Sequence, residues 1–226
     1  DADVLIENFK PGTMEKWGLG PEHIKPHNPQ LIYTRISGYG QSGPYSSKPG
    51  YASVTEAFSG FRYLNGYPED VPVRPNLSLG DSVAGVHAAL GILLALLARK
   101  NSQQGQVIDV ALYEAMFNLM EGVVPEYDGA GAVREPAGST LTGIVPTNTY
   151  LCRDGKHVVI GGNGDSIYAR LMTAIGREDL ATDPALGSNA GRVEQQELID
   201  AAIGGWTSAH KSAAVIATLE AADVPV

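Results

Sequence analysis

The stretch LIYTRISGYGQSGPY, residues 31–45, joins a short apolar run to a turn with glycines at positions 38, 40 and 43. From Leu31 to Ser37, β-branched and aromatic residues dominate without strict polar alternation, the pattern of a parallel strand covered on both faces. Such a strand running into a glycine-rich turn predicts α/β architecture. Outward from it, Val4–Ile6 is a second β-like run and GQVIDVAL (105–112) a third. PGTMEKWGLGPEHIKPHNPQ (11–30) reads as two short helical pieces broken by Gly18, Gly20, Pro26 and Pro29. GYASVTEAFSGFRYL (50–64) is weakly helical, and YEAMFNLMEG (113–122) predicts an apolar helix. The clearest helix follows Asp81. Val83, Val86, His87, Leu90, Leu93, Leu94 and Leu97 recur at three- and four-residue steps, an apolar stripe expected to be buried, with His87 packed in the core.

Beyond residue 122 the periodicity dissolves. PEYDGAGAVREPAGSTLTG and its flanks, residues 123–143, are read as a linker. TNTYLCRDGKHVVIGG (147–162) predicts a hairpin turning at Arg153-Asp154-Gly155. Helices are expected near Ile167–Ile175, Gln195–Trp206 and Ser212–Ala222. The expected organisation is an α/β domain over 1–122, the linker, and a smaller α+β domain over 144–226, incomplete because AADVPV breaks off in mid-pattern. The start inside a β-like run, without Met, makes both ends look cut. Such a span alone is expected to expose apolar surface and to be unstable.

The 226 residues are 43% hydrophobic and 18% charged, ordinary globular values. The net charge of −9 argues against a nucleic-acid partner. Residues 1–100 are neutral, with nine Lys/Arg and nine Asp/Glu, so a small anion is expected to bind in that half. AALGILLALLA (88–98) is too short for a bilayer, and no membrane span or signal peptide is predicted. The single cysteine, Cys152, excludes an internal disulfide and points to a cytoplasmic setting. Five scattered histidines form no metal-ligand pair, and no metal is expected.

NLSLGDSVAG (76–85) places an acid beside a hydroxyl. Gly-Asp-Ser is a serine-hydrolase signature, but its companion blocks are present only as decoys. Asp154-Gly-Lys-His157 precedes Gly162-Asn163-Gly164-Asp165, the reverse of the expected order. Asp81 or Ser82 also suits a helix N-cap. An acid before a helix is more often a cap than a catalyst, but Asp81 also suits a nucleophile, because a helix N-terminus keeps a carboxylate ionised and its N–H groups stabilise an oxyanion. The residues alone leave these open.

Five blocks in order, DVLIENFKPGTMEKWGLG, NPQLIYTRISGYGQSGPY, KPGYASVTEAFSG, LGDSVAGVHAALGILLALLAR and GQVIDVALYEAM, resemble the class III CoA-transferases. That group includes formyl-CoA and carnitine CoA-transferases and the related α-methylacyl-CoA racemases. The resemblance implies a partial Rossmann-like large domain, a chain drawn from the middle of a longer protein, and an interlocked homodimer. It implies an acyl-CoA:carboxylate CoA-transferase with Asp81 as nucleophile, working through mixed anhydrides and an aspartyl-CoA thioester. Coenzyme A is the implied cofactor, and acyl-CoA and a carboxylic acid acceptor are the partners. Asn8, Phe9, Thr13, Lys16, Trp17, Gly38, Gly40 and Tyr51 are the implied CoA-binding positions, and the region of Gly138 and Gly143 matches a glycine-rich active-site loop. Racemases of the family carry histidine where Tyr51 stands, and Ala52 replaces a frequent acid. Transfer is therefore favoured over racemisation, with a Gly-Asp-Ser hydrolase and a non-catalytic CoA-binding protein as more distant alternatives.

Overall fold

The computed structural model describes residues 2–226. The first half holds β1 (Val4–Glu7), α1 (Thr13–Lys16), α2 (Pro21–Ile24), β2 (Ile32–Ser37), α3 (Ala52–Phe58), α4 (Phe61–Leu64), α5 (Leu79–Ser102), β3 (Val107–Ala111), α6 (Leu112–Phe117) and α7 (Val123–Ala130). The strands form a parallel sheet in the order β1-β2-β3, with Val4 opposite Ile32 and Tyr33 opposite Val107. The central strand β2 is buried along almost its whole length, which is why its sequence is a continuous apolar run.

Helix α5 packs on β2, β3, α3 and α6, but not with the expected face. Gly80, Ala84, Ala88 and Ala95 are buried, whereas Val86, Leu90, Leu93, Leu94 and Leu97 are each more than half exposed. The sequence carries two stripes at helical spacing, and the inward one is the stripe of small residues. Small side chains let the helix approach the sheet so closely that a Cβ on Gly91 would meet Ile108 at 3.1 Å. His87 is only half-buried, its Nδ1 2.9 Å from the Val83 carbonyl. With 24 residues and a mean hydropathy of 1.8 over its most apolar window, α5 is long and apolar enough to cross a membrane, which the shorter sequence reading did not anticipate. Its packing, however, is that of a helix laid on a parallel sheet.

The chain divides into two compact units, meeting in sequence at Pro136 and Ala137. The stretch expected as a linker from residue 123 contains α7, which belongs to the first unit. Arg134 holds that segment, ion-paired with Glu121 at 3.0 Å and with Glu126. In the second unit, β4 (Thr147–Leu151) and β5 (His157–Gly161) form the expected antiparallel hairpin. They are followed by α8 (Asp165–Ala174), α9 (Glu178–Ala181), α10 (Asn189–Glu194), α11 (Gln196–Ala209) and α12 (Ser212–Ala221). The core is built from Ile160, Leu171, Met172, Ile199, Ile203, Val215 and Leu219. Arg192 is fully buried there and donates to the carbonyls of Val145, Leu186 and Asn163 and to Asp165. Its charge is thus met by hydrogen bonds on every side.

Candidate functional site

In the first unit the residue following each parallel strand, Asn8 after β1, Gly38 after β2 and Leu112 after β3, lines one cavity of about 300 Å³. This is where open α/β sheets bind ligands, because loops leaving neighbouring parallel strands diverge at their carboxyl ends. Phe9, Lys10, Tyr39, Lys48, Tyr51 and Asp81 complete most of the wall.

Each loop is held by specific contacts. The nearly buried Glu7 accepts the Phe9 N–H at 2.8 Å and pairs with Arg35 of β2 at 2.7 Å. The Arg35 guanidinium also bonds both Glu15 oxygens, at 2.6 and 3.1 Å, and this hydrogen bonding holds the Glu15 carboxyl below the ordinary carboxylate range. The loop carrying Asn8 to Pro11 is thereby fixed between a strand and α1. The second loop is tied to β3, because Asp109 accepts the Gln41 N–H at 2.8 Å. It also touches the loop before α3 backbone to backbone. A Cβ on Gly38 would lie 2.8 Å from the Gly50 Cα.

Asp81 stands in the first turn of α5 and is exposed, and its carboxylate makes no hydrogen bond among the described residues. The N-cap position belongs to Ser78, so neither Asp81 nor Ser82 is the cap. Ser82 Oγ donates to the Ser78 carbonyl at 2.9 Å and does not line the cavity. The decoys of a hydrolase have other duties. Asp154 accepts from the Ser212 hydroxyl at 2.9 Å and holds the start of α12. The Asn163 carbonyl receives Arg192.

Of the residues expected at a site, Asn8, Phe9, Gly38, Tyr51 and Asp81 come together in the cavity, while Thr13, Lys16, Trp17 and Gly40 do not line it. Trp17 is nonetheless continuous with the cavity wall. Its ring meets Phe9 edge-on at 5.0 Å, and both rings are exposed, not packed in a core. Gly40 sits behind the loop, 3.4 Å from the Asp109 carboxylate when given a Cβ. Sequence reasoning missed Tyr39, Lys10 and Lys48. The Lys48 ammonium lies 3.8 Å from the centroid of Tyr45, a cation–π contact. It also missed Glu56, whose fully buried carboxylate accepts the N–H of Gly80, the residue before Asp81. No group of three His, Cys, Asp or Glu side chains suited to a metal occurs among the described residues.

These features define an α/β protein that gathers a free carboxylate and two lysines at the ends of its parallel strands. The chain belongs to CoA-transferase family III, whose pattern matches residues 1–226. It is 46% identical over 206 residues to a succinyl-CoA--D-citramalate CoA-transferase of Chloroflexus aurantiacus, covering 91% of this chain and 51% of that protein. It is 38% identical over 226 residues to the alpha subunit of a succinyl-CoA--L-malate CoA-transferase of Chloroflexus aurantiacus, covering 100% of this chain and 53% of that subunit. Among solved structures, a CAIB/BAIF family protein from Brucella suis superposes with a TM-score of 0.81 at 32% identity, covering 99% of this chain and 59% of that one. The chain spans about half the length of the curated relatives it matches.

Proposed function

We propose that the full-length protein transfers CoA from an acyl-CoA to a carboxylic acid, with Asp81 as the nucleophile. The observation that carries this reading is the Asp81 carboxylate itself, unpaired, exposed to the strand-end cavity, and held in the first turn of a long helix. The helix N-terminus favours the anion. An Asp81 oxygen attacks the thioester carbonyl, the C–S bond breaks, and CoA leaves as a thiolate, giving a mixed anhydride. The thiolate then attacks the aspartyl carbonyl, expelling the donor carboxylate and leaving an aspartyl-CoA thioester. The acceptor carboxylate attacks this thioester, forming a second anhydride and again freeing the thiolate. Attack of the thiolate on the acceptor acyl carbon releases the new thioester and restores Asp81. One thioester replaces another, so the protein's task is to keep water from the anhydrides.

The CoA path runs over Asn8, Phe9, Thr13, Lys16 and Trp17, with Gly38, Gly40 and Tyr51 shaping the loops beside it. Lys10 and Lys48 offer cations to anionic groups of the substrates. The names of the two Chloroflexus relatives point to a succinyl-CoA donor and a hydroxylated dicarboxylate acceptor. In the full-length protein two copies associate as a homodimer. The test is transfer from succinyl-CoA to malate or citramalate by the full-length enzyme. Asp81→Ala abolishes it, Ser82→Ala retains most of it, and hydroxylamine trapping maps the adduct to Asp81. A serine-directed phosphonate that labels Ser82 and stops turnover refutes the reading.

A further inference from the structure

We infer that Glu56 is a positioning residue that leaves Asp81 free to react by capping its helix from outside. This rests on the Asp81 reading above. Glu56 belongs to α3, and its side chain is completely buried. Oε1 accepts the backbone N–H of Gly80, the residue before Asp81, at 3.2 Å. Oε2 faces Arg62 at 3.4 Å and Arg74 at 4.0 Å, so the buried carboxylate has counter-ions.

The first-turn N–H groups of a helix have no partner in their own helix and seek an acceptor. An acid in that turn is the ordinary local source, and here the acid in the first turn is Asp81 itself. The N-cap side chain, Ser78, makes no capping bond. Glu56 supplies an acceptor from a different helix, 24 residues away in sequence. The packing has room for this and little else. A Cβ on Gly80 would meet the Ala52 Cβ at 3.1 Å and Glu56 Oε1 at 3.4 Å, so α3 reaches the turn only because residue 80 is glycine. Without Glu56, the Gly80 N–H is left buried and unpaired, and the nearest mobile carboxylate able to satisfy it is the nucleophile. A nucleophile bonded to its own backbone is turned away from the cavity and is weaker.

The experiment compares Glu56→Ala, Glu56→Gln and Asp81→Ala in the full-length enzyme. It measures kcat, KM for succinyl-CoA, and the single-turnover rate of covalent loading followed by mass spectrometry. Glu56→Ala is expected to lower kcat and the loading rate about a hundredfold, with KM within about twofold. Glu56→Gln keeps an acceptor oxygen for Gly80 and should recover to within about fivefold of wild type. A purely structural role instead lowers the thermal midpoint and leaves kcat per folded molecule unchanged in both variants, which overturns the inference. Should Glu56→Ala fail to fold, Glu56→Met, which fills the same space without an acceptor oxygen, replaces it: loading reduced about a hundredfold supports the inference, and near-normal loading overturns it. An active Asp81→Ala variant refutes the nucleophile reading itself. An inactive Asp81→Ala beside a fully active Glu56→Ala refutes only the role given to Glu56.

Discussion

Replacing Gly38 by alanine tests whether the cavity is held open by a backbone-to-backbone contact. The added Cβ would lie 2.8 Å from the Gly50 Cα and 3.1 Å from its carbonyl carbon and oxygen. All three are main-chain atoms that no rotamer change can move aside. Ordinary contact begins near 3.4 Å, so the loops after β2 and before α3 must separate by about 0.6 Å. Overpacking of this kind costs about 1–3 kcal/mol of stability. Tyr39 and Tyr51 flank the two glycines in the cavity wall, so displacement at this scale should lower kcat/KM for the acyl-CoA about tenfold. Gly43→Ala is the control. Gly43 has a φ of +89° and no atom within 4 Å of an added Cβ, so it incurs conformational strain of about 1–2 kcal/mol without moving a wall. Denaturant unfolding and steady-state kinetics on the full-length enzyme separate the two. Both variants lose stability, and only Gly38→Ala loses kcat/KM. A folded Gly38→Ala enzyme with wild-type kinetics refutes the reasoning.

Incubating the full-length enzyme with a chiral 2-methylacyl-CoA in deuterated water should leave the α-carbon protonated, because the proposed transfer through Asp81 makes and breaks bonds only at the acyl carbon and leaves the α-carbon untouched. Deuterium incorporated at the rate of turnover contradicts this. Arg35→Met leaves Glu7 buried without its counter-ion and should destabilise the first unit by about 3–5 kcal/mol, with Glu7→Gln added to Arg35→Met restoring part of the loss. A double-mutant cycle in urea measures both. Tyr168 is 2% exposed, its hydroxyl has no partner among the described residues, and burial pushes its pKa up to about 12. The raised value means that stability is intact below pH ~10, where the unfolded tyrosine is also neutral, and is lost as pH climbs toward ~12, by about 2 kcal/mol. Tyr168→Phe should remove that alkaline loss and add about 1 kcal/mol at neutral pH. Unfolding curves at pH 8 and 11 that coincide with wild type contradict it.

The strands were legible because burial on both faces leaves an unmistakable run, as in Leu31–Ser37, and the hairpin because Asp154-Gly155 marks its turn. Helix α5 was legible in extent, but its inward face was not. Leucines and alanines both recur at helical spacing, and choosing between them requires knowing how closely the helix approaches the sheet. Helix α7 was hidden by Gly129 and Pro125 in a stretch that looks unstructured, and α9 and α10 are too short to show a period. Among site residues, Asp81 emerged through family resemblance, since acid beside hydroxyl at a helix start has several meanings. Glu56 carried no local sign. Its role exists only in the contact between α3 and the turn before Asp81. Lys48 and Tyr39 were likewise invisible until the loops after β2 and before α3 were seen to touch.

The cavity draws its wall from Asn8, Gly38, Tyr51, Asp81 and Leu112, five places spread over nearly the whole first unit. Any fluctuation that parts β1 from β2, or lifts α5 from the sheet, dismantles the cavity along with the fold. A ligand seated there binds only the closed form, and by mass action at a hundredfold excess over its Kd it makes each such opening about 2.7 kcal/mol harder. Amide hydrogen exchange would register this as slower exchange at the ends of all three parallel strands together, so that substrate acts as a cross-link between segments a hundred residues apart.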